Sequence, residues 1–217
     1  MISFSNVYKR YPNGFEALKN IVFTINQGEM VFITGNSGAG KSTLLKLIGA
    51  IERPTTGGIF VNDQNISKLR NSAIPFLRRN IGMVFQGQKI LFDRSVFDNV
   101  VLPLQICGFE HRSATGRVRA ALDKVGLLSK EKALPITLSG GERQRLCIAR
   151  AVVNRPSILI ADEPAAYLDP GYTKDIMNMF KSFHQVGVTV LITTPDAELL
   201  EGSQHRILSL SHGELVT

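Results

Sequence analysis

The feature that most constrains the fold is a strand pattern joined to a helical pattern by a glycine-rich turn. Residues 30–34 read MVFIT, residues 35–42 read GNSGAGKS, and residues 43–48 read TLLKLI. A short apolar run bounded by glycine is typical of a buried strand, and the second apolar segment begins a helix. A strand followed at once by a helix predicts one unit of an α/β fold with parallel strands.

The rest of the chain repeats this alternation. Further strands are predicted at residues 81–85, 157–161 and 188–193, and a short apolar run at residues 207–210 precedes a turn. The apolar residues that show helical spacing are Val118, Ala121, Leu122, Val125, Ile176, Met179, Phe180 and Phe183. We therefore expect a largely parallel sheet covered on both faces. Residues 88–152 carry few strand signals, and we interpret them as a helical subdomain inserted into a single domain that spans residues 1–217.

The glycine-rich turn fits the pattern G-x-x-x-x-G-K-[ST] between a strand and a helix, which is the context that this phosphate-binding motif requires. Glycines let backbone N–H groups converge on phosphate oxygens, and the helix N-terminus faces the same anion. Lys41 is expected to reach the β- and γ-phosphates, and the Ser42 hydroxyl to bind Mg²⁺. A purely structural Gly-Ser turn is the alternative, which the flanking strand and helix disfavour. The predicted contacts are Gly35, Asn36, Ser37, Gly38, Ala39, Gly40, Lys41, Ser42 and Thr43.

Two carboxylates follow a second apolar run. Residues 158–161 read ILIA and are followed by Asp162 and Glu163. A strand end beside a phosphate loop is where a Mg²⁺-associated aspartate belongs, so Asp162 is assigned to the metal. Glu163 is then placed to polarise an attacking water as general base. Taken alone, an acidic pair after a strand is more often a helix cap or a loop feature.

Bulk composition limits the partners. The chain has 217 residues, a formal net charge of +7 and two cysteines, Cys107 and Cys147. The charge suits nucleic acid, an anionic membrane face or phosphate ligands, and it equally describes a basic surface without a partner. Because no RNA-binding motif or DNA-reading helix is found, no nucleic-acid partner is expected. The cysteines lack metal-ligand spacing, and no apolar run is long enough to cross a bilayer, so a membrane role would require a partner.

A third motif carries a family resemblance. Residues 138–142 read LSGGE, and in this order with the two motifs above they resemble the signature of the ABC ATPases. The resemblance implies a P-loop NTPase core with a RecA-like mixed sheet, a small antiparallel β subdomain and an inserted helical subdomain. It also implies that Ser139, Gly140 and Gly141 face the ATP of an opposite subunit in a homodimer. A helix N-terminus with a serine and two glycines is a suitable anion donor set.

Further positions follow from the same resemblance. Tyr11 lies where an aromatic ring stacks on adenine, with core packing or a surface aromatic as the alternative. Gln86 resembles the glutamine that contacts Mg²⁺ and senses the γ-phosphate. Leu168 and Asp169 resemble the D-loop, which crosses the dimer interface. The implied ligands are therefore ATP and Mg²⁺, with Ser42, Gln86 and Asp162 at the metal.

Several longer segments resemble one branch of the ABC ATPases, the FtsE family of bacterial cell-division ATP-binding subunits. Among them are residues 37–48, 75–86 and 121–128. This implies a membrane partner resembling FtsX, a position on the cytoplasmic side of the bacterial inner membrane, and control of septal peptidoglycan hydrolysis. The ATPase subunits of lipoprotein-release and macrolide-type exporters share much of this pattern and remain an alternative.

The region that would receive a membrane partner's coupling helix is residues 87–106. Within it, four apolar residues are candidates to line a docking groove, with ordinary core packing as the alternative for each. These are Phe92, Val96, Phe97 and Val100.

Two departures from the ABC pattern concern hydrolysis. The strand at residues 188–193 is followed in the family by Thr-His-Asp, whereas here Pro195 stands in the histidine's place between Thr194 and Asp196. Proline has no side-chain donor and no backbone N–H. The D-loop carries Ala165, Ala166 and Tyr167, and the tyrosine adds bulk at the expected dimer interface. We expect near-normal ATP binding and slow turnover.

Three classes of function remain open at this point. The first is an ABC-type ATPase that drives a membrane partner. The second is a nucleotide-dependent scaffold that dimerises and signals with little hydrolysis, which Pro195 favours. The third is a nucleic-acid-associated ABC protein, for which only the basic charge speaks.

Overall fold

The computed structural model describes residues 1–166, 168–196, 200 and 203–216. Within these residues the strands are β1 (Ile2–Arg10), β2 (Glu16–Ile25), β3 (Met30–Thr34), β4 (Thr56–Val61), β5 (Gln64–Asn65), β6 (Ile81–Val84), β7 (Ile158–Asp162), β8 (Thr189–Thr193), β9 (Arg206–Ser211) and β10 (Glu214–Val216). The helices are α1 (Lys41–Ile48), α2 (Ile74–Arg78), α3 (Val96–Ile106), α4 (His111–Lys124), α5 (Gly140–Val152) and α6 (Pro170–Gln185). Short 3-10 turns lie at Asn71–Ala73, Leu128–Lys130 and Pro135–Thr137.

The larger sheet contains the strands that the sequence predicted. Its order is β10-β9-β3-β8-β7-β6, and the pairs from β9 to β6 are parallel. β7 and β8 are buried along most of their length, because helices cover both faces of a parallel sheet. The carboxyl ends of parallel strands lie at one edge of the sheet. This brings the segments after β3, β7 and β8 together, and these are the segments with the phosphate motif, the acidic pair and Pro195.

The smaller sheet is antiparallel, with the order β2-β1-β4-β5. Its inner face includes Phe4 and Phe23, whose rings stack with centroids 4.6 Å apart. β1 shows register shifts against both neighbours, which is the signature of β-bulges. This sheet packs over α1 and therefore buttresses the helix that begins at the phosphate motif.

Between β6 and β7 the chain is helical, with α3, α4 and α5 packed on one another. Their apolar faces join one core with β7, β8 and α6, in which Leu104, Val118, Leu122 and Phe180 are fully buried. The expected α/β fold with an antiparallel β subdomain and inserted helices is confirmed. No helix within the described ranges has the length and apolarity needed to cross a membrane.

We expect the core contact of α6 to control stability. Phe180 is 0% exposed, so Phe180→Ala should lower the free energy of unfolding by about 3–5 kcal/mol, through lost transfer free energy and a cavity. Urea denaturation followed by circular dichroism measures this. The matched control is Phe92→Ala, at a ring that is 48% exposed, which should cost about 0.5 kcal/mol or less. Equal losses in the two variants would contradict the core assignment.

Candidate functional site

The loop between β3 and α1 requires glycine at two of its positions. Gly35 has φ 142° and Gly40 has φ 108°, a region that L side chains rarely adopt. A Cβ on Gly35 would lie 2.2 Å from the Leu210 carbonyl oxygen, and one on Gly40 would lie 2.6 Å from that of Ala17. Gly38, by contrast, faces open space. Its open side leaves room for a ligand to approach the backbone.

Lys41 is the first residue of α1, and its ammonium folds back onto this loop. Nζ donates to the carbonyl oxygens of Gly35 at 2.7 Å and Asn36 at 3.2 Å. It also lies 3.4 Å from Oε1 of Glu163. Only 4% of Lys41 is exposed, so these oxygens compensate a largely desolvated cation. The positive charge is thereby held where an anionic ligand at the loop would meet it.

The carboxyl ends of β7 and β8 meet at Asp162. Its Oδ1 accepts hydrogen bonds from Ser42 Oγ at 3.0 Å and from Thr193 Oγ1 at 2.8 Å. Thr193 Oγ1 in turn accepts the N–H of Glu163 at 2.8 Å. The hydroxyl of Thr193 therefore fixes both carboxylate residues relative to α1.

Glu163 adopts φ 47°, an uncommon conformation for a residue other than glycine. Its carboxylate accepts a hydrogen bond from Gln86 Nε2 at 2.8 Å through one oxygen, while the other faces Lys41. Gln86 follows β6, the strand next to β7. Lys41, Glu163 and Gln86 thus form one contact chain, although they come from distant segments of the sequence. The left-handed backbone of Glu163 places its carboxylate between the other two side chains.

These side chains open into a cleft of about 350 Å³. Its lining residues are Phe15, Ala17, Ser37, Gly38, Gly40, Lys41, Ser42, Thr43, Gln86, Glu163 and Pro195. Most of the predicted phosphate-contacting side chains are therefore brought together. Tyr11, Asn36, Asp162 and the segment 139–141 do not line it. The Ala39 N–H is already used within the loop, where it donates to the Asn36 carbonyl oxygen at 3.1 Å.

Tyr11 lies near the cleft without lining it. Its hydroxyl and Thr43 Oγ1 are 3.3 Å apart, and the Lys9 ammonium lies 4.9 Å from its ring centroid. Its N–H donates to the Phe15 carbonyl oxygen, which closes a turn and brings the Phe15 ring to the cleft wall. Adenine stacking on Tyr11 stays a prediction.

The signature segment forms the N-terminus of α5. Ser139 caps the helix through a capping box, in which its Oγ accepts the Glu142 N–H and Glu142 Oε2 accepts the Ser139 N–H. Glu142 also pairs with Lys130. Lys130 and the Ser139 N–H hold the pKa of Glu142 below its usual value. Ser139, Gly140 and Gly141 do not line the cleft of their own chain, so their contact with a nucleotide stays a prediction.

Pro195 lies on the boundary between the cleft and a neighbouring cavity of about 230 Å³, which Glu163, Ala165, Ala166 and Thr194 also line. Pro195 thus lines the same two cavities as Glu163, at the position where the family resemblance implies a histidine. Tyr167, whose bulk was predicted to lie at a dimer interface, falls outside the described residues.

Two residues of this region were not predicted from the sequence. Thr193 hydrogen bonds to both acidic residues, and Phe15 supplies an apolar wall to the cleft. A signal for Thr193 existed, since a fully buried hydroxyl at the end of an apolar strand requires a partner. Phe15 lies between two strands with no local pattern that marks it.

Comparison with known proteins decides the family. Residues 18–166, more than half of the chain, match the family description "ABC transporter". The chain belongs to the ABC transporter family. ATPase activity, ATP binding and the ABC cassette fold are therefore supported by family membership as well as by the geometry.

Similar proteins indicate the branch of the ABC transporter family to which the chain is related. The cell division ATP-binding protein FtsE of Escherichia coli strain K12 is 53% identical over 215 residues, covering 99% of this chain and 97% of that protein. FtsE of Bacillus subtilis strain 168 is 41% identical over 216 residues, covering 100% and 95%. The chain is thus an FtsE-like ABC ATP-binding protein, as the sequence predicted.

Solved structures of ABC cassettes agree. The dimeric structure of MJ0796, a bacterial ABC transporter cassette, has a TM-score of 0.92 at 34% identity and covers 100% of this chain and 97% of that chain. A dimeric post-hydrolysis state of MJ0796, bound to ADP and Pi, has a TM-score of 0.92 at 33% identity. The fold is therefore that of an ABC cassette over the whole chain.

The loop geometry predicts the effect of removing the buried ammonium. Lys41→Ala should weaken Mg-ATP binding about ten- to a hundredfold, because charge-assisted hydrogen bonds contribute about 1.5–3 kcal/mol. Isothermal titration calorimetry measures the affinity. Lys46→Ala, on the same helix and outside the cleft, is the control and should bind as the parent does. Identical affinities for both variants would refute the assignment of Lys41.

Proposed function

We propose that this chain is the ATP-binding subunit of a bacterial cell-division complex. It dimerises on ATP, hydrolyses it slowly, and drives or signals to a membrane partner resembling FtsX that controls septal peptidoglycan hydrolysis. The observation that carries this proposal is the 53% identity to a cell division ATP-binding protein over 99% of the chain, with the contact chain of Lys41, Glu163 and Gln86 intact. In this proposal the protein is located at the cytoplasmic face of the bacterial inner membrane.

Hydrolysis requires a water molecule to attack the γ-phosphate and a base to accept its proton. Glu163 has the required carboxylate beside Lys41, and Gln86 holds one of its oxygens. When a polyphosphate enters, Lys41 can exchange its carbonyl contacts for phosphate oxygens, which frees Glu163 to orient the water. The catalytic residues of this proposal are Glu163 and Gln86.

Mg²⁺ is the metal that this chemistry implies. Asp162 and Ser42 present one carboxylate and one hydroxyl oxygen within hydrogen-bond distance of each other, and Gln86 lines the same cleft as Ser42 and carries an amide oxygen. Oxygen donors with few carboxylates fit Mg²⁺, which is usually completed by phosphates and waters. When bound, the metal neutralises charge on the β- and γ-phosphates. Ser42, Gln86 and Asp162 are the residues that would hold it.

A homodimer is supported by the position of the signature. Ser139, Gly140 and Gly141 lie outside the cleft of their own chain, so their helix N-terminus is available to a nucleotide bound by another copy. The two similar cassette structures are described as dimeric. Two ATP molecules between two chains would use every predicted nucleotide-binding segment.

Slow turnover follows from Pro195. It lies beside Glu163 and cannot donate a hydrogen bond to a phosphate or position a water. Loss of one preorganised donor lowers a rate by about 10²–10³. Binding should survive, because the loop, Lys41 and Ser42 have their full set of contacts.

Restoring the donor tests this reasoning. Pro195→His should raise steady-state phosphate release at least about tenfold at saturating Mg-ATP, with the dissociation constant unchanged within about twofold. Pro195→Ala removes the ring and restores a backbone N–H without adding a side-chain donor, so it should give no comparable increase. Fast turnover of the parent, with no gain from histidine, would show that Pro195 does not limit hydrolysis.

The surface for the membrane partner is proposed on α3 and the segment before it. Of the four predicted groove residues, Val96 and Val100 are fully buried, so the core alternative holds for them, and Phe97 packs against the same core. Phe92 remains available at 48% exposure, and Ile106 at the end of α3 is 70% exposed. These two apolar side chains suit an amphipathic helix.

A charge at this surface should interrupt the partnership. Phe92→Asp is expected to abolish co-purification with a membrane subunit resembling FtsX and to leave Mg-ATP affinity unchanged. Val22→Asp, an equally exposed apolar position on β2, is the control and should co-purify normally. Co-purification of Phe92→Asp at the parent level would remove this surface from the proposal. Co-purification of the parent with an exporter subunit instead would favour the lipoprotein-release or macrolide-type alternative.

A second candidate function is favoured by Pro195 itself. A nucleotide-dependent scaffold would bind ATP, dimerise and signal with little hydrolysis. Phosphate release measured with and without the membrane partner separates the two. Stimulation by the partner supports an ATPase, and full signalling without release supports a scaffold.

A further inference from the structure

The first turns of α5 and α6 contact each other through a glycine and an aromatic ring. A Cβ built on Gly141 would lie 2.6 Å from Cδ1 of Tyr172 and 2.9 Å from its Cγ. Distances this short are not seen for real Cβ atoms, so only glycine permits the ring to lie there. Tyr172 is therefore packed directly on the backbone of the signature segment.

The same ring extends along α5 to Arg145. Gly141 and Arg145 are four residues apart, so they lie on one face of the helix. The Arg145 guanidinium carbon lies 5.8 Å from the Tyr172 ring centroid, within the range of a cation–π contact. Nε of Arg145 is buried and has no hydrogen-bond partner among the described residues. The ring thus provides a favourable contact for a guanidinium whose Nε makes no hydrogen bond within the described part of the chain.

Tyr172 is held in place by the turn that follows the acidic pair. Oδ1 of Asp169 accepts the N–H groups of Gly171 at 3.0 Å and of Tyr172 at 3.2 Å, which caps α6. A Cβ built on Gly140 would lie 4.0 Å from Cδ2 of Leu168, which is an ordinary van der Waals contact. Both signature glycines therefore contact the segment that begins at Glu163.

We propose that Tyr172 is a positioning residue for the signature donors, an inference that rests on the proposed ATP-dependent dimer. Its ring, which belongs to the first turn of α6, packs against Gly141 and Arg145 and so fixes the first turn of α5 relative to α6. The orientation of Ser139, Gly140 and Gly141 toward a phosphate on the opposite chain then depends on where α6 begins. Because α6 begins only a few residues after Glu163, the contact between Tyr172 and Gly141 would link the base of one site to the donors of the other.

The positioning matters because the backbone N–H groups at the start of α5 are the proposed phosphate donors. The first N–H groups of a helix have no partner within it, and the capping box occupies those of Ser139 and Glu142. The N–H groups of Gly140 and Gly141 have no partner within the described ranges and are therefore available to an anion. Glycine offers them little conformational restraint, so a fixed ring on Gly141 supplies the preorganisation that electrostatic stabilisation requires.

ATP-dependent self-association tests the proposal. In a Glu163→Gln chain, which lacks the base and so spares ATP, sedimentation velocity with Mg-ATP measures the dimerisation constant. Adding Tyr172→Ala should weaken association at least about tenfold, and Tyr172→Phe should leave it unchanged, since the ring makes the contact. Tyr8→Ala, at a tyrosine of similar exposure on β1, is the matched control and should have no effect.

Calorimetry on the same samples separates this inference from the proposed function. At chain concentrations below the dimerisation constant, Mg-ATP binding to the monomer should be equal with and without Tyr172→Ala. Retained binding with undiminished association of the Tyr172→Ala chain would overturn the positioning role alone. Absent binding heat in the parent would overturn the proposed function and this inference with it.

A double-mutant cycle in urea denaturation tests the contact between Tyr172 and Gly141 without nucleotide. Gly141→Ala should lower the urea midpoint of the parent, because the new methyl group displaces the ring. In the Tyr172→Ala background the same substitution should shift the midpoint by less than half as much, as expected for residues in direct contact. Equal shifts in both backgrounds would show that the ring does not rest on Gly141, and would overturn the proposal.

Discussion

The site depends on one buried charge. Lys41 is almost completely removed from water, and its ammonium is compensated by two loop carbonyl oxygens and by the Glu163 carboxylate. A desolvated cation is costly unless it is paired, so the loop after β3 and the strand end of β7 must lie together. The antiparallel sheet packed on α1 secures the same arrangement from the other side. An incoming phosphate would take over this compensation without any rearrangement of the sheet.

The parallel strands could be predicted because each is a short apolar run bounded by turn residues. Such a run, as at residues 30–34 and 188–193, is typical of a strand that is buried on both faces. The strands of the antiparallel sheet were predicted only through the family resemblance. β1 contains bulges that break the alternation of buried and exposed residues. β2 did carry a local signal, since Ile21, Phe23 and Ile25 alternate on its inner face.

Site residues that belong to a contiguous motif could be predicted from the sequence. Site residues whose role depends on tertiary packing could not. Residues 35–43 and the acidic pair could be assigned from their spacing, and the structure brings Lys41, Ser42, Asp162 and Glu163 into contact. The roles of Thr193 and Tyr172 depend on partners about thirty residues away in sequence. No local pattern encodes such pairs, because they exist only once the ends of β7 and β8 and the first turns of α5 and α6 have met.

Binding and hydrolysis are carried by separable parts of this structure. The loop, Lys41 and Ser42 contact one another and the carboxylates of Asp162 and Glu163, and these contacts are complete within one chain. In the proposed function, hydrolysis would also need the segment from Glu163 to α6, the residue after Thr194 and a second copy of α5. The departures from the ABC pattern, at Ala165, Ala166 and Pro195, all fall in this second set. A change at Ala165, Ala166 or Pro195 leaves the oxygens that contact Lys41 in place, so it can alter the reacting centre without disturbing the buried cation.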